Sequence, residues 1–193
     1  MQLGGSRSWR IAIDEWNESL LLPLWIRAAE RINVPPGGIV PGPLDFDLLP
    51  AASVHDRSTL VEGWHTWWHA VAGAADSAPL ESYGPPDFAG LAGSPALAAI
   101  TRARWEEAHR WHRRRKRHGI AELRPSETNL EVVASVEREI GHPAAPFEVE
   151  FVILPVLDDE IRRVRDLRFL VPERVYTSAR WPQWLHGLVR SVA

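Results

Sequence analysis

An alternating run near the end of the chain places the strongest constraint on the fold. From residue 147 to residue 153, apolar side chains occupy every second position, as in a half-buried β-strand. The run contains Phe147, Val149, Phe151 and Ile153, with Glu148 and Glu150 between the first three. A turn at Asp158-Asp159 and an Arg-rich return over residues 161–171 predict an antiparallel hairpin spanning 147–171. Because a lone hairpin is not stable in water, it must pack on helices or pair with a further strand such as residues 9–13.

Most of the remaining chain has the spacing of amphipathic helices. Apolar residues recur at helical intervals over residues 14–32, 58–75, 95–118 and 181–192. Residues 129–140 fit a helix or a strand, and the following Gly141 and Pro143 favour a helix. Two Pro/Gly-rich segments, 34–50 and 77–93, are predicted to be irregular. We therefore predict an α+β fold in a single domain, 1–193, with a mainly helical N-terminal two-thirds packed on a small antiparallel sheet and a C-terminal amphipathic helix.

Composition and missing motifs exclude several functional classes. The chain has no cysteine, which excludes disulfides, thiolate metal sites and a Cys nucleophile. Residues 1–10 lack the apolar core of a signal peptide, and no apolar run approaches the roughly 18 residues of a membrane span, so we expect a cytoplasmic protein. The glycine-rich loops of nucleotide-binding sites and the Gly-x-Ser-x-Gly nucleophile motif do not occur. The sequence therefore contains none of these catalytic motifs, and nothing in it identifies the chain as an enzyme.

Histidines and carboxylates on two predicted helices form a candidate metal site. One helix carries Glu62, His65 and His69, and the other carries Glu106, His109 and His112. A His pair four residues apart shares one helix face, and a Glu-x-x-His spacing occurs in metal-binding bundles. Nitrogen and oxygen ligands of this kind suit Zn²⁺, Fe or Mn. Helical periodicity, however, places the residues of the first helix on its polar face, so we favour solvated histidines; the cofactor is unknown, with none favoured.

A dense basic run ends the longest predicted helix. It contains Arg110, Arg113, Arg114, Arg115, Lys116 and Arg117. Such a run can hold a phosphate backbone or an acidic partner, and it also suits the negative end of the helix dipole. The net charge of −3 argues against a general affinity for nucleic acid.

The chain is rich in tryptophan, with ten in 193 residues. Tryptophan is enriched at interface hot spots, and we assign Trp67, Trp68, Trp181 and Trp184 to a partner-binding surface. Together with the charged surfaces, these residues favour a non-enzymatic protein-binding or assembly subunit, such as an adaptor or accessory subunit, with a protein partner or a homo-oligomer. The alternatives are a metal-dependent enzyme using the His/Glu site and nucleic-acid binding through residues 110–118.

Overall fold

The computed structural model describes residues 9–45, 57–74, 81–122 and 127–193. Within these ranges the chain forms four strands and six α-helices, with a short 3-10 helix (Ala89–Leu91) before the third helix. In chain order they are β1 (Arg10–Asp14), α1 (Glu18–Ala29), α2 (Arg57–Gly73), α3 (Pro95–Glu122), α4 (Glu127–Ile140), β2 (Glu148–Leu154), β3 (Arg162–Arg165), β4 (Arg168–Pro172), α5 (Glu173–Tyr176) and α6 (Arg180–Val192). The predicted α+β class, the mainly helical N-terminal part and the C-terminal helix are confirmed.

The strands form one mixed sheet with the order β1-β2-β4-β3. β2 lies parallel to both β1 and β4, and only β3 and β4 pair in the antiparallel sense. The predicted all-antiparallel sheet, built on a hairpin over 147–171, is therefore corrected. The return segment contains a turn of its own at Asp166-Leu167, so it makes two strands, and β4 inserts between β2 and β3.

Apolar cores cover both faces of the sheet. Strand alternation directs Val152 and Leu154 of β2 toward helices α1, α2 and α3. Phe151 and Ile153 point the other way, toward α4 and α6. A strand buried on both faces is apolar at successive positions, which explains why the alternation of β2 ends after Glu150. Residues 127–140 form a helix, α4, which packs with α6 on the second face of the sheet.

The first Pro/Gly-rich segment is an ordered arm fastened to the end of β2. Leu44 forms an isolated antiparallel bridge with Val156, and Leu157 N donates to Pro43 O at 2.8 Å. Gly42 N donates to the Asp158 carboxylate, and a Cβ at Gly42 would lie only 2.8 Å from Asp158 Oδ2. Residues 46–50 of this predicted irregular segment, and residues 77–80 of the second one, lie outside the described residues.

A buried arginine completes this attachment. Arg27 of α1 donates to Pro41 O at 3.0 Å and also to Gly42 O. Burial lowers the pKa of Arg27 to about 10, while the Asp158 charge opposes this shift and the Arg162 charge adds to it. The arm is thus held by main-chain hydrogen bonds and by the charged side chains of Arg27 and Asp158.

None of the described helices combines the length and the apolar character needed to cross a bilayer.

Candidate functional site

Helix α3 carries the whole basic run, and one face of its first half packs in the core. Ala98 N donates to Ser94 O at 2.9 Å at its start, and Leu97, Ile100 and Ala108 are buried against α1 and α2. Pro95 occupies the first helical position, where its missing N–H leaves no helical bond unmade. The helix runs to Glu122, beyond the end predicted near residue 118. Packing of the first half against α1 and α2 therefore fixes the position from which the second half extends.

The inner side of this second half is engaged by acidic residues from other elements. His109 Nε2 lies 2.8 Å from Glu18 Oε1, and His112 Nδ1 lies 3.3 Å from the same oxygen. One turn further on, Arg115 donates to the Glu173 carboxylate. These contacts fasten α3 to the first turn of α1 and to α5, which begins where β4 ends.

His112 is the most deeply buried of these groups. Its Nε2 lies 3.1 Å from Trp16 O, while its Nδ1 faces Glu18. Both neighbours have oxygen atoms that accept hydrogen bonds. The ring is thus placed to bridge the Trp16 carbonyl and a carboxylate.

Two carboxyls beside α3 are shifted in opposite directions. The hydrogen bond from His112 lowers the pKa of Glu18, opposed by partial burial and supported by the charges of His109, His112 and Arg113. Burial raises the pKa of Glu15, the nearby Glu173 raises it further, and the Arg115 charge opposes both effects. Glu18 is therefore held as the anion at neutral pH, which suits its contact with two imidazoles.

The outer side of α3 presents cations to solvent. Arg110, Arg113 and Arg117 share one stripe of the helix at intervals of three, four and seven residues. Lys116 follows His112 by one turn, on the side of the helix that carries the two histidines, and is exposed as well. All four are exposed, and none has an ion-pair partner anywhere in the described parts of the chain. We call these four residues the basic face of α3.

Other residues of the predicted basic patch have different surroundings. Arg114 is exposed and lies on the same stripe as Arg110. Arg115 is half-buried and bound to Glu173, so its placement in the predicted surface patch is corrected. The helical period explains this difference, because Arg115 points about 140° away from Arg110, toward α5. The predicted patch therefore contains one arginine that is bound inside the fold and five basic residues that are exposed to solvent.

The six predicted metal ligands lie on two separate helices and make different contacts. Glu62 and His69 of α2 are exposed, and the His65 and His69 rings stack with centroids 6.2 Å apart. Glu106 of α3 is exposed, whereas His109 and His112 turn toward Glu18. Over the ranges that the structure describes, no three His, Asp or Glu residues form a group able to hold a metal ion.

The tryptophans assigned to a partner surface belong largely to the interior. Trp67, Trp68 and Trp181 are buried, so their predicted exposure is wrong. Trp68 Nε1 donates to Ile39 O and Trp181 Nε1 to Asn129 Oδ1, each at 2.9 Å. Trp184 is half-buried and stacks on Trp181 with centroids 5.6 Å apart. The two cores, one on each face of the sheet, provide enough apolar contact to cover these rings.

Glu18 and Glu173 are the site residues that sequence reasoning missed. Their partners on α3 lie far away along the chain, so no local spacing links them. The only local signal is the start of α1, where the Asn17 side chain accepts from Leu20 N at 3.1 Å and Glu18 occupies the first turn. That pattern indicates a helix start and contains no information about α3.

Comparisons with protein-family models, curated proteins and solved structures gave no match.

Proposed function

We propose that this chain is a non-enzymatic protein-binding or assembly subunit, and that the basic face of α3 binds an acidic segment of a partner protein. The supporting observation is the contrast between the two sides of one helix. Glu18 and Glu173 contact His109, His112 and Arg115, whereas four exposed cations of the same helix have no ion-pair partners in the described chain.

Helix stability alone does not account for these cations. Favourable interaction of basic residues with the helix dipole falls off beyond the last turn. Because α3 ends at Glu122, Arg110 and Arg113 lie more than two turns before its end. Like charges three or four residues apart destabilise an isolated helix slightly. An anionic partner would offset this repulsion.

Several features favour an acidic protein over a nucleic acid. The seven-residue rise from Arg110 to Arg117 is only about 10 Å, which matches a short acidic peptide and few backbone phosphates. The whole chain has a net charge of −3, which repels an extended polyanion. Among the described residues, the large apolar side chains that are exposed are Leu130 and Leu157, and neither offers the aromatic ring on which an unpaired base stacks.

The test is quantitative capture from an extract of the source organism with three immobilised proteins. These are the unaltered chain, the face variant (Arg110→Gln, Arg113→Gln, Lys116→Gln and Arg117→Gln) and a control variant (Arg138→Gln, Arg163→Gln, Arg174→Gln and Arg190→Gln). The control removes the same charge from exposed positions elsewhere. Mass spectrometry measures each recovered protein, with and without nuclease treatment.

The proposal predicts an acidic protein that the unaltered chain and the control variant retain equally, and that the face variant loses. Chemical cross-links should join Lys116 to acidic peptides of that protein. Equal recovery by all three proteins would contradict the proposal. Recovery that disappears after nuclease treatment would replace the protein partner with a nucleic acid.

A further inference from the structure

The two edges of the sheet differ in how they are protected. β3 forms one edge, where Arg163 and Arg165 are exposed and the pairing with β4 is irregular between them. Charged side chains and bulges are the usual means by which an edge strand avoids pairing with another chain. β1 forms the other edge, and its central residues Ile11, Ala12 and Ile13 are half-buried and uncharged.

The main chain of β1 has hydrogen-bonding groups that point away from the sheet. Arg10 N donates to Phe147 O at 2.8 Å, on the side of β2. Because neighbouring residues of a strand direct their N–H and C=O groups to opposite sides, those of Ile11 and Ile13 point outward. No strand among the described residues lies on that side of β1.

The sequence of β1 is complementary to itself in the antiparallel direction. The strand is Arg-Ile-Ala-Ile-Asp, from Arg10 to Asp14. When two copies are related by a two-fold axis at Ala12, Arg10 lies opposite Asp14 of the second copy, and Ile11 lies opposite Ile13. Within its own chain Arg10 pairs with Glu148 at 3.2 Å, and the Asp14 carboxylate accepts from Trp16 N and Asn17 Nδ2, so the contact between copies shares these charged groups. Opposite charges and apolar pairs are the favourable cross-strand combinations.

The same register satisfies the outward main-chain groups. Ile11 and Ile13 of opposite copies form hydrogen-bonded pairs, each exchanging two N–H···O=C bonds. The two Ala12 residues then form the non-hydrogen-bonded pair on the axis. Ile11 and Ile13 already pack against the core formed with α4 and α6, so the isoleucines of a second copy would extend that core across the axis.

We infer that β1 is a homodimer interface, through which two copies join their sheets by antiparallel β1–β1 pairing centred on Ala12. This inference goes beyond the proposed partner binding and does not depend on it, because the basic face of α3 contributes no residue to β1. An isologous contact of this kind closes with two copies. It leaves the β3 edges, which carry the exposed arginines, at the two ends of the joined sheet.

The absence of cysteine allows a direct test with single thiols. In the inferred register the Ala12 Cα atoms lie about 4.5 Å apart, within the roughly 4.4–6.8 Å range that a disulfide spans. The Ala12→Cys variant of the full chain should therefore form a covalent dimer rapidly with oxidised glutathione. The control is Arg163→Cys, which places an exposed thiol on β3, at the opposite edge of the sheet. Circular dichroism checks that both variants fold.

Sedimentation of the unaltered chain over a concentration series provides the second measurement. We expect a dimer, conversion to monomer in Arg10→Glu, where like charges face each other twice, and no change in Arg163→Glu. A chain that stays monomeric at every concentration would overturn the inference. So would a dimer whose Ala12→Cys variant cross-links no faster than Arg163→Cys, because its interface would lie elsewhere. Neither result would affect the capture of an acidic protein, so the two proposals fail separately.

Discussion

Asp158 connects parts of the chain that are far apart in sequence. Its carboxylate accepts from Gly42 N in the arm and pairs with Arg162 at 3.0 Å. Arg162 is buried, and Arg27 is also buried next to the arm. A buried cation that loses its carboxylate partner is strongly destabilising. The position looks like an ordinary turn residue in the sequence, since nothing local reveals that a residue 116 positions away bonds to it.

We predict that Asp158→Ala lowers the free energy of unfolding by about 3 kcal/mol, because it leaves the buried Arg162 with only the exposed Glu160 as a carboxylate partner and removes the negative charge that favours the buried Arg27 cation. The neighbouring Asp159→Ala is the matched control. Asp159 is exposed and pairs only at the surface with Arg174, so its loss should cost under about 1 kcal/mol. Urea denaturation measures both values, and equal losses would contradict the role assigned to Asp158.

Glu18 provides a prediction about pH. Its pKa is lowered in the folded chain, chiefly by the hydrogen bond from His112, so the unfolded chain binds the proton more readily. Its contribution to stability is therefore present above the unfolded value of about 4.3, and it disappears as the pH falls through the lower folded value.

We expect the His112→Gln variant to move the Glu18 pKa upward toward its ordinary value. Carbon NMR of the side-chain carboxyl during an acid titration measures this shift. Glu15 serves as an internal reference, because burial is the main cause of its raised pKa. If Glu18 titrates identically with and without His112, the hydrogen bond is not what stabilises its charge.

Helices α2 and α3 approach each other closely at Gly63. A Cβ at this position would lie 2.3 Å from Ser94 Oγ and 2.6 Å from Ser94 Cβ, just before α3 begins. The sequence predicts both helices and the start of α3 at Ser94-Pro95, because periodicity and capping are local signals. It does not predict their contact, which depends on how the helices pack in three dimensions.

The Gly63→Ala variant should lose about 1–3 kcal/mol of stability, as expected for an overpacked contact. Gly187→Ala is the control, because it lies inside α6 with open space around it. Alanine forms helix better than glycine there, so this change should stabilise by about 0.5–1 kcal/mol. Thermal unfolding of the two variants gives the sign of each effect. A neutral Gly63→Ala would show that the helices separate easily.

The sheet shows where element prediction succeeds and where it stops. Alternation predicts β2 correctly, because its period is local. The turn between β3 and β4 contains Leu167 with φ of +53°, a conformation usually marked by Gly or Asn. Since neither residue marks it, the sequence shows one strand where the structure has two, and the parallel pairing of β2 with β4 was missed.

At the scale of the whole molecule, the charged residues around α3 are divided between contacts with other elements and the exposed surface of that helix. Glu18 and Glu173 hold the inner side of α3 against the sheet end, and this fixes the direction in which the basic face points. The basic run was predicted from sequence. The structure was needed to show which residues of the basic run are exposed. It was also needed to show that most of the assigned tryptophans are buried.

The most direct test of the proposed binding is a fluorescence anisotropy titration with a labelled Glu-rich peptide, at low and at physiological salt. We predict that the unaltered chain and the Arg138/Arg163/Arg174/Arg190 control bind it equally, with affinity that falls as salt rises. The face variant should bind at least about tenfold more weakly, a loss of about 1.4 kcal/mol. If the face variant and the control bind the peptide with the same affinity, the basic face of α3 is not the binding site.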